Sequence, residues 1–83
     1  MSYKSLRESL DSHNYKKIRL KLISLRNENS LSQRELANKL SITQSFVSKV
    51  ESGQRRLDVL ELKKYLDVLN YSIDQFLSGI DIT

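Results

Sequence analysis

The chain has 83 residues, enough for one hydrophobic core and too few for two. It contains no Cys, no Pro and only two Gly, which excludes disulfides and thiolate metal sites and disfavours a sheet built on tight turns. The net charge of +4 is unevenly placed: residues 15–56 hold ten basic and three acidic side chains, whereas residues 57–83 carry −3, so one surface is expected to face a polyanion and another to be kept away from it.

Residues 3–12 predict a short helix, with Leu6 and Leu10 four apart on one face. Ser12, His13 and Asn14 then read as a break, and Ser12 or Asn14 supplies a cap for the next helix. Residues 15–28 predict a strong helix. Ile18, Leu22 and Leu25 form its apolar stripe, and Leu20 and Ile23, off that stripe, are expected to receive the N-terminal helix. After a link through Asn29, Ser30 and Leu31, Ser32 and Glu35 stand at capping-box spacing ahead of a helix over residues 33–40, which buries Leu36, Ala37 and Leu40.

Ser41 and Ile42 make a turn and Thr43 is an N-cap. The next helix runs over residues 44–52 with Val47 and Val50 inward, and Gly53 ends it. Residues 54–57 are a basic loop. Asp58 caps a helix whose stripe includes Leu62, Tyr65, Leu66 and Leu69, and Ser72 caps a last short helix through Ile73, Phe76 and Leu77, closed by Gly79. The chain therefore divides into an extension over residues 1–14, a domain over residues 15–79 and a tail over residues 80–83. No apolar run has the length of a membrane span or the form of a signal peptide, so a cytoplasmic, nucleoid-associated protein is expected.

Two helices of eight to nine residues joined by a three-to-four-residue turn make a helix-turn-helix unit. Here it spans residues 32–52. Small Ala37 allows close approach, Ile42 plugs the turn, and Val47 and Val50 pack onto Leu36 and Leu40. The side chains left outward on the second helix, Gln44, Ser45, Ser48 and Lys49, are polar, a face suited to hydrogen-bonding base edges in a groove.

This stretch, followed by Glu51-Ser52-Gly53-Gln54-Arg55-Arg56-Leu57, resembles the Xre family of lambda-repressor-like regulators over roughly residues 15–77. The resemblance implies an all-α, five-helix DNA-binding domain, with the N-terminal helix as an addition. It implies that Gln44 reads bases, with Ser45, Ser48 and Lys49 beside it, and that Gln33 meets phosphate and braces Gln44. Thr43, Ser52, Arg55 and Arg56 are the other expected phosphate contacts, and Arg26 is expected to pair with Glu51. Phe46 either touches a thymine methyl or covers the motif, and packing is favoured. Family members usually carry Gly where Ser41 stands, at a left-handed helix end.

The function expected is sequence-specific binding of double-stranded DNA by a homodimeric repressor. The alternatives are an antitoxin or restriction-modification controller with a protein partner, or a protein-interaction module. Dimerisation is expected through residues 57–83, with Tyr71, Phe76, Ile80 and Ile82 as its apolar side chains. The tail can instead fold back on its own subunit, and Tyr3, Leu6 and Leu10 offer another surface. His13, the single His, has no clustered ligands near it, and neither a metal-ligand spacing nor a nucleophile motif is present. No cofactor, catalysis, small-molecule ligand or membrane partner is expected.

Overall fold

Five helices account for most of residues 13–80, the part of the chain that the computed structural model describes. They are α1 (His13–Glu28), α2 (Gln33–Leu40), α3 (Gln44–Ser52), α4 (Val59–Val68) and α5 (Ile73–Ser78), with no strand among the described residues. The helix expected over residues 3–12, its contacts to Leu20 and Ile23, the Ser12 cap, and Ile82 all lie outside them.

Each boundary from α2 onward follows from a side chain that satisfies the orphan amides of a first turn. Ser32 and Glu35 form a reciprocal capping box on α2, and Asp58 and Glu61 form a second on α4. Thr43 and Ser72 accept hydrogen bonds from the amides of Phe46 and Gln75. Hydrogen bonds from the Ser32 backbone and side chain hold the Glu35 carboxyl below the ordinary carboxylate range. Such a group strengthens the fold above its unfolded-state pKa, and that contribution is lost as the pH falls through the lowered folded value.

The expected interior forms. Leu22 and Leu25 of α1, Leu36 and Ala37 of α2, Val47 and Val50 of α3, Tyr65, Leu66 and Leu69 at α4, and Phe76 of α5 make one buried cluster. Ile18, Leu40 and Ile42 pack at its edge. Asn29 ties the ends of two helices to it by donating to the Leu25 and Leu69 carbonyls at 2.8 and 3.1 Å.

Four places differ from the sequence expectation. The first described helix includes His13 and Asn14, so Asn14 is a buried residue of α1 rather than its cap. Leu77 does not share the interior with Phe76: the six-residue α5 turns it out, 48% exposed. Phe76 is fully buried in its own subunit and is unavailable to a dimer surface. Ile80 is half-buried against the same core, the fold-back arrangement of the tail as far as it is described.

Links between helices close tightly on left-handed residues. Ser41 has φ 57° and Gly53 has φ 85°, and the unexpected cases are Ser30 and Asn70, each with φ 57°. At each, the following amide reaches back five residues, as Ile42 does to Ala37 and Gln54 to Lys49, so that otherwise orphaned carbonyls are satisfied. A Cβ in this region is strained, and Gly relieves it by about 1 kcal/mol, less what Gly adds to unfolded-chain entropy. Ser41→Gly is therefore expected to stabilise by up to about 1 kcal/mol, raising Tm by roughly 4–8 °C at the full value, with DNA preference unchanged. Circular-dichroism melts check this, and a lower midpoint for the Gly variant would show that the Ser41 hydroxyl contributes more than the strain costs.

Candidate nucleic-acid interface

One face of α1 prepares the far end of α3. Tyr15, Arg19, Leu22 and Arg26 recur at helical spacing, so they project from α1 in a single row. Arg26 Nε and Nη2 donate to Glu51 Oε2 and Oε1 at 2.6 and 3.0 Å, a bidentate pair, while Nη1 donates to the Leu31 carbonyl at 2.7 Å. Arg19 Nη1 donates to the backbone carbonyl of Glu51 at 3.1 Å, placing a cation at the negative end of the α3 dipole. Its guanidinium lies against Gly53, where an added Cβ would stand 3.1 Å from Arg19 Nε, so a side chain there meets both crowding and a positive φ.

Gln33, at the first turn of α2, donates from Nε2 to Glu51 Oε1 at 3.0 Å. The Glu51 carboxylate thus gathers side chains from α1 and α2 around the last turn of α3. Its side chain is only 8% exposed and that of Arg26 only 13%, so α3 is fixed by a desolvated network. The Gln33 amide gives one of its two N–H donors to Glu51, and through it supports α3 from the end opposite Gln44.

With Val47, Val50 and Glu51 facing the body, α3 leaves Gln44, Ser45, Ser48 and Lys49 exposed together on its other side. Thr43 and Ser52 flank them, both exposed. The Thr43 hydroxyl oxygen accepts from the Phe46 amide at 3.1 Å, and the Ser52 hydroxyl donates to the Lys49 carbonyl at 3.2 Å. Phe46 is half-buried at the rim of an apolar groove with Leu40, Ile42 and Tyr65, a packing position.

The loop after α3 is preset by aromatic contacts. Arg55 lies 4.1 Å from the Phe46 ring centroid and Arg56 4.3 Å from that of Tyr15. The Tyr15 hydroxyl in turn accepts from the Leu57 amide at 3.3 Å. Arg55 is also paired with Glu61, whose carboxyl sits below its ordinary range, first because of Arg55 and then because of the Asp58 amide. Arg56 is exposed. The Tyr65 hydroxyl is buried nearby with no hydrogen-bond partner among the described residues; burial, then the Glu51 charge, pushes its pKa up.

The structure thus gathers Gln44, Ser45, Ser48 and Lys49 on one face, assembles Arg26 with Glu51 and Gln33 behind it, and turns Arg55 toward α4. Sequence reasoning missed Arg19, Tyr15 and Glu61. Arg19 stands seven residues before Arg26, two turns along the same face. Asp58 and Glu61 repeat the spacing of Ser32 and Glu35, so both signals were available. Among the described residues there is no group of His, Asp and Glu that could hold a metal ion, and no helix is long and apolar enough to cross a membrane.

Known proteins agree with this architecture. A family described as helix-turn-helix matches residues 22–76. No curated protein matches the chain in sequence. Among solved structures, a point mutant of the restriction-modification controller protein C.Esp1396I is 25% identical with a TM-score of 0.75, covering 83% of this chain and 87% of that one. The C.Esp1396I tetramer in complex with its natural 35 base-pair operator is 24% identical, TM-score 0.74, over 82% of this chain and 90% of that one. The clp gene regulator ClgR from Corynebacterium glutamicum shares the fold at 20% identity and TM-score 0.72, covering 82% and 72%. The chain belongs to the helix-turn-helix family, in its Xre, lambda-repressor-like class of DNA-binding regulators.

Proposed function

We propose that this chain is a transcriptional repressor that binds a pseudo-palindromic operator in double-stranded DNA as a homodimer, by binding alone and without catalysis. The observation that carries this reading is the exposed polar face of α3, Gln44, Ser45, Ser48 and Lys49, on a helix whose end is anchored by Arg19, Arg26 and Gln33. A helix can discriminate bases only if its side chains arrive in a fixed frame, and this network supplies the frame. Gln44, in the first turn, is suited to the paired donor and acceptor of adenine. Arg56, with Thr43, Ser52, Gln33 and the free amides at the start of α2, is assigned to the phosphate backbone. One such helix spans few base pairs, so two copies reading half-sites about one helical turn apart supply the selectivity. Operator binding by the C.Esp1396I tetramer supports duplex DNA and a homo-oligomer here. With no membrane-crossing helix among the described residues, the cytoplasm is the compartment proposed.

A second reading, control of a restriction-modification operon, uses the same surface. It is favoured by the similarity to C.Esp1396I over most of both chains.

Binding titrations of two variants test the assignment. Gln44→Ala is expected to relax preference at one base position and to cost roughly 1–3 kcal/mol on the preferred site. Arg56→Ala is expected to weaken binding to all duplexes alike and to reduce the slope of log affinity against log salt by about 1. A Gln44→Ala protein with unaltered base preference would remove Gln44 from the reading face.

A further inference from the structure

Arg55 stands at the edge of the surface assigned to DNA, yet its guanidinium is directed at α4. Nη1 and Nη2 meet Glu61 Oε1 and Oε2 at 3.0 and 2.8 Å, and Nη1 also donates to the Arg56 carbonyl at 2.8 Å. The Phe46 ring covers one side of the guanidinium plane. The two-pronged grip with which an arginine holds a phosphate is thus already filled by a carboxylate of matching geometry. Glu61 cannot easily follow Arg55 elsewhere, because its Oε1 also accepts the Asp58 amide at 2.9 Å in the capping box of α4. The side chains are 38% and 32% exposed, so the pair lies at the surface and is partly screened by solvent.

We propose that Glu61 is a positioning residue for DNA binding: it occupies Arg55 as an internal substitute for phosphate, so that the loop after α3 approaches the duplex without Arg55 as a backbone clamp. The inference rests on the DNA-binding reading above. Its consequence is that one acidic side chain on α4 lowers the sequence-independent part of the affinity by one ionic contact.

The slope of log affinity against log salt counts such contacts on a random duplex. Glu61→Gln keeps a side chain able to complete the capping box but frees the Arg55 fork. It is expected to steepen the slope by about 0.9, an additional loss of about 3.5-fold in affinity over a fourfold rise in salt. Arg55→Lys retains both charges but cannot make the fork. It is expected to steepen the slope in the same direction, and it reads the same release should Glu61→Gln fail to fold. In Glu61→Gln/Arg55→Ala the slope is expected to return to the wild-type value. Unchanged slopes in both single variants, or an increase that survives in the double variant, would overturn the proposal while leaving DNA binding intact. A wild-type chain that binds no duplex would overturn both.

Discussion

Arg26→Met is expected to destabilise the fold by about 3–5 kcal/mol, because it strips a nearly buried carboxylate of its bidentate partner. Glu51 would keep one donor from Gln33, and the Leu31 carbonyl would lose the Arg26 Nη1–H that bridges α1 to the link before α2. Small domains have total stabilities of roughly 5–15 kcal/mol, so a substantial unfolded population is expected in the variant. Adding Glu51→Leu removes the stranded charge and is expected to recover much of the stability. Operator affinity is expected to stay low in the double variant, since leucine offers nothing to Gln33 and only the Arg19 hydrogen bond to the residue 51 carbonyl still keys the last turn of α3 to α1. Urea unfolding and DNA titration on the same samples separate the two effects. A single Arg26→Met variant within 1 kcal/mol of wild type would mean that water replaces the guanidinium and that the network is no anchor.

Phe76→Ala is expected to have a comparable effect through a different cause. Its ring is fully buried, and truncating it loses about 3–5 kcal/mol in transfer and cavity terms together. At six residues α5 is far too short to persist alone, so it depends on this ring for its place. The adjacent Leu77 is 48% exposed, and Leu77→Ala is expected to change stability by less than about 0.5 kcal/mol. Denaturant unfolding of the two variants side by side gives the comparison, and equal costs would show that the α5 orientation is wrong.

Leu77 also marks where sequence reasoning stops. In a helix of six residues, two neighbouring apolar side chains satisfy helical periodicity almost equally well, and only the packed core decides which is inside. Longer stripes were legible: Leu22 with Leu25 and Val47 with Val50 repeat at the helical spacing that a shared interior explains. Caps were legible for the same reason, since Ser32, Thr43, Asp58 and Ser72 each stand just before an apolar pattern. The left-handed Ser30 and Asn70 were not: neither is glycine, and each is marked by the next amide closing back five residues onto the preceding helix, a contact that only the folded chain displays.

The exposed polar face of α3 was visible in the sequence as what remains of the helix once Val47 and Val50 are placed inside. What could not be read was the fate of the arginines. Arg55 and Arg56 are chemically alike and adjacent, and charge pattern alone assigns both to phosphate. One meets Glu61 six residues on, and the other lies over Tyr15 from the start of α1. The second of these is a tertiary contact across more than half the described chain, and the first depends on how the loop folds back onto α4.

The central claim, that α3 reads duplex sequence from a frame fixed by the rest of the domain, is tested most directly by one titration. The wild-type chain is bound to genomic upstream fragments and to random duplex, across salt from about 50 to 200 mM. The predicted result is at least one fragment held about 10³-fold or more tighter than random duplex, with both affinities falling steeply as salt rises. Equal affinity for every duplex, or an affinity indifferent to salt, would contradict it.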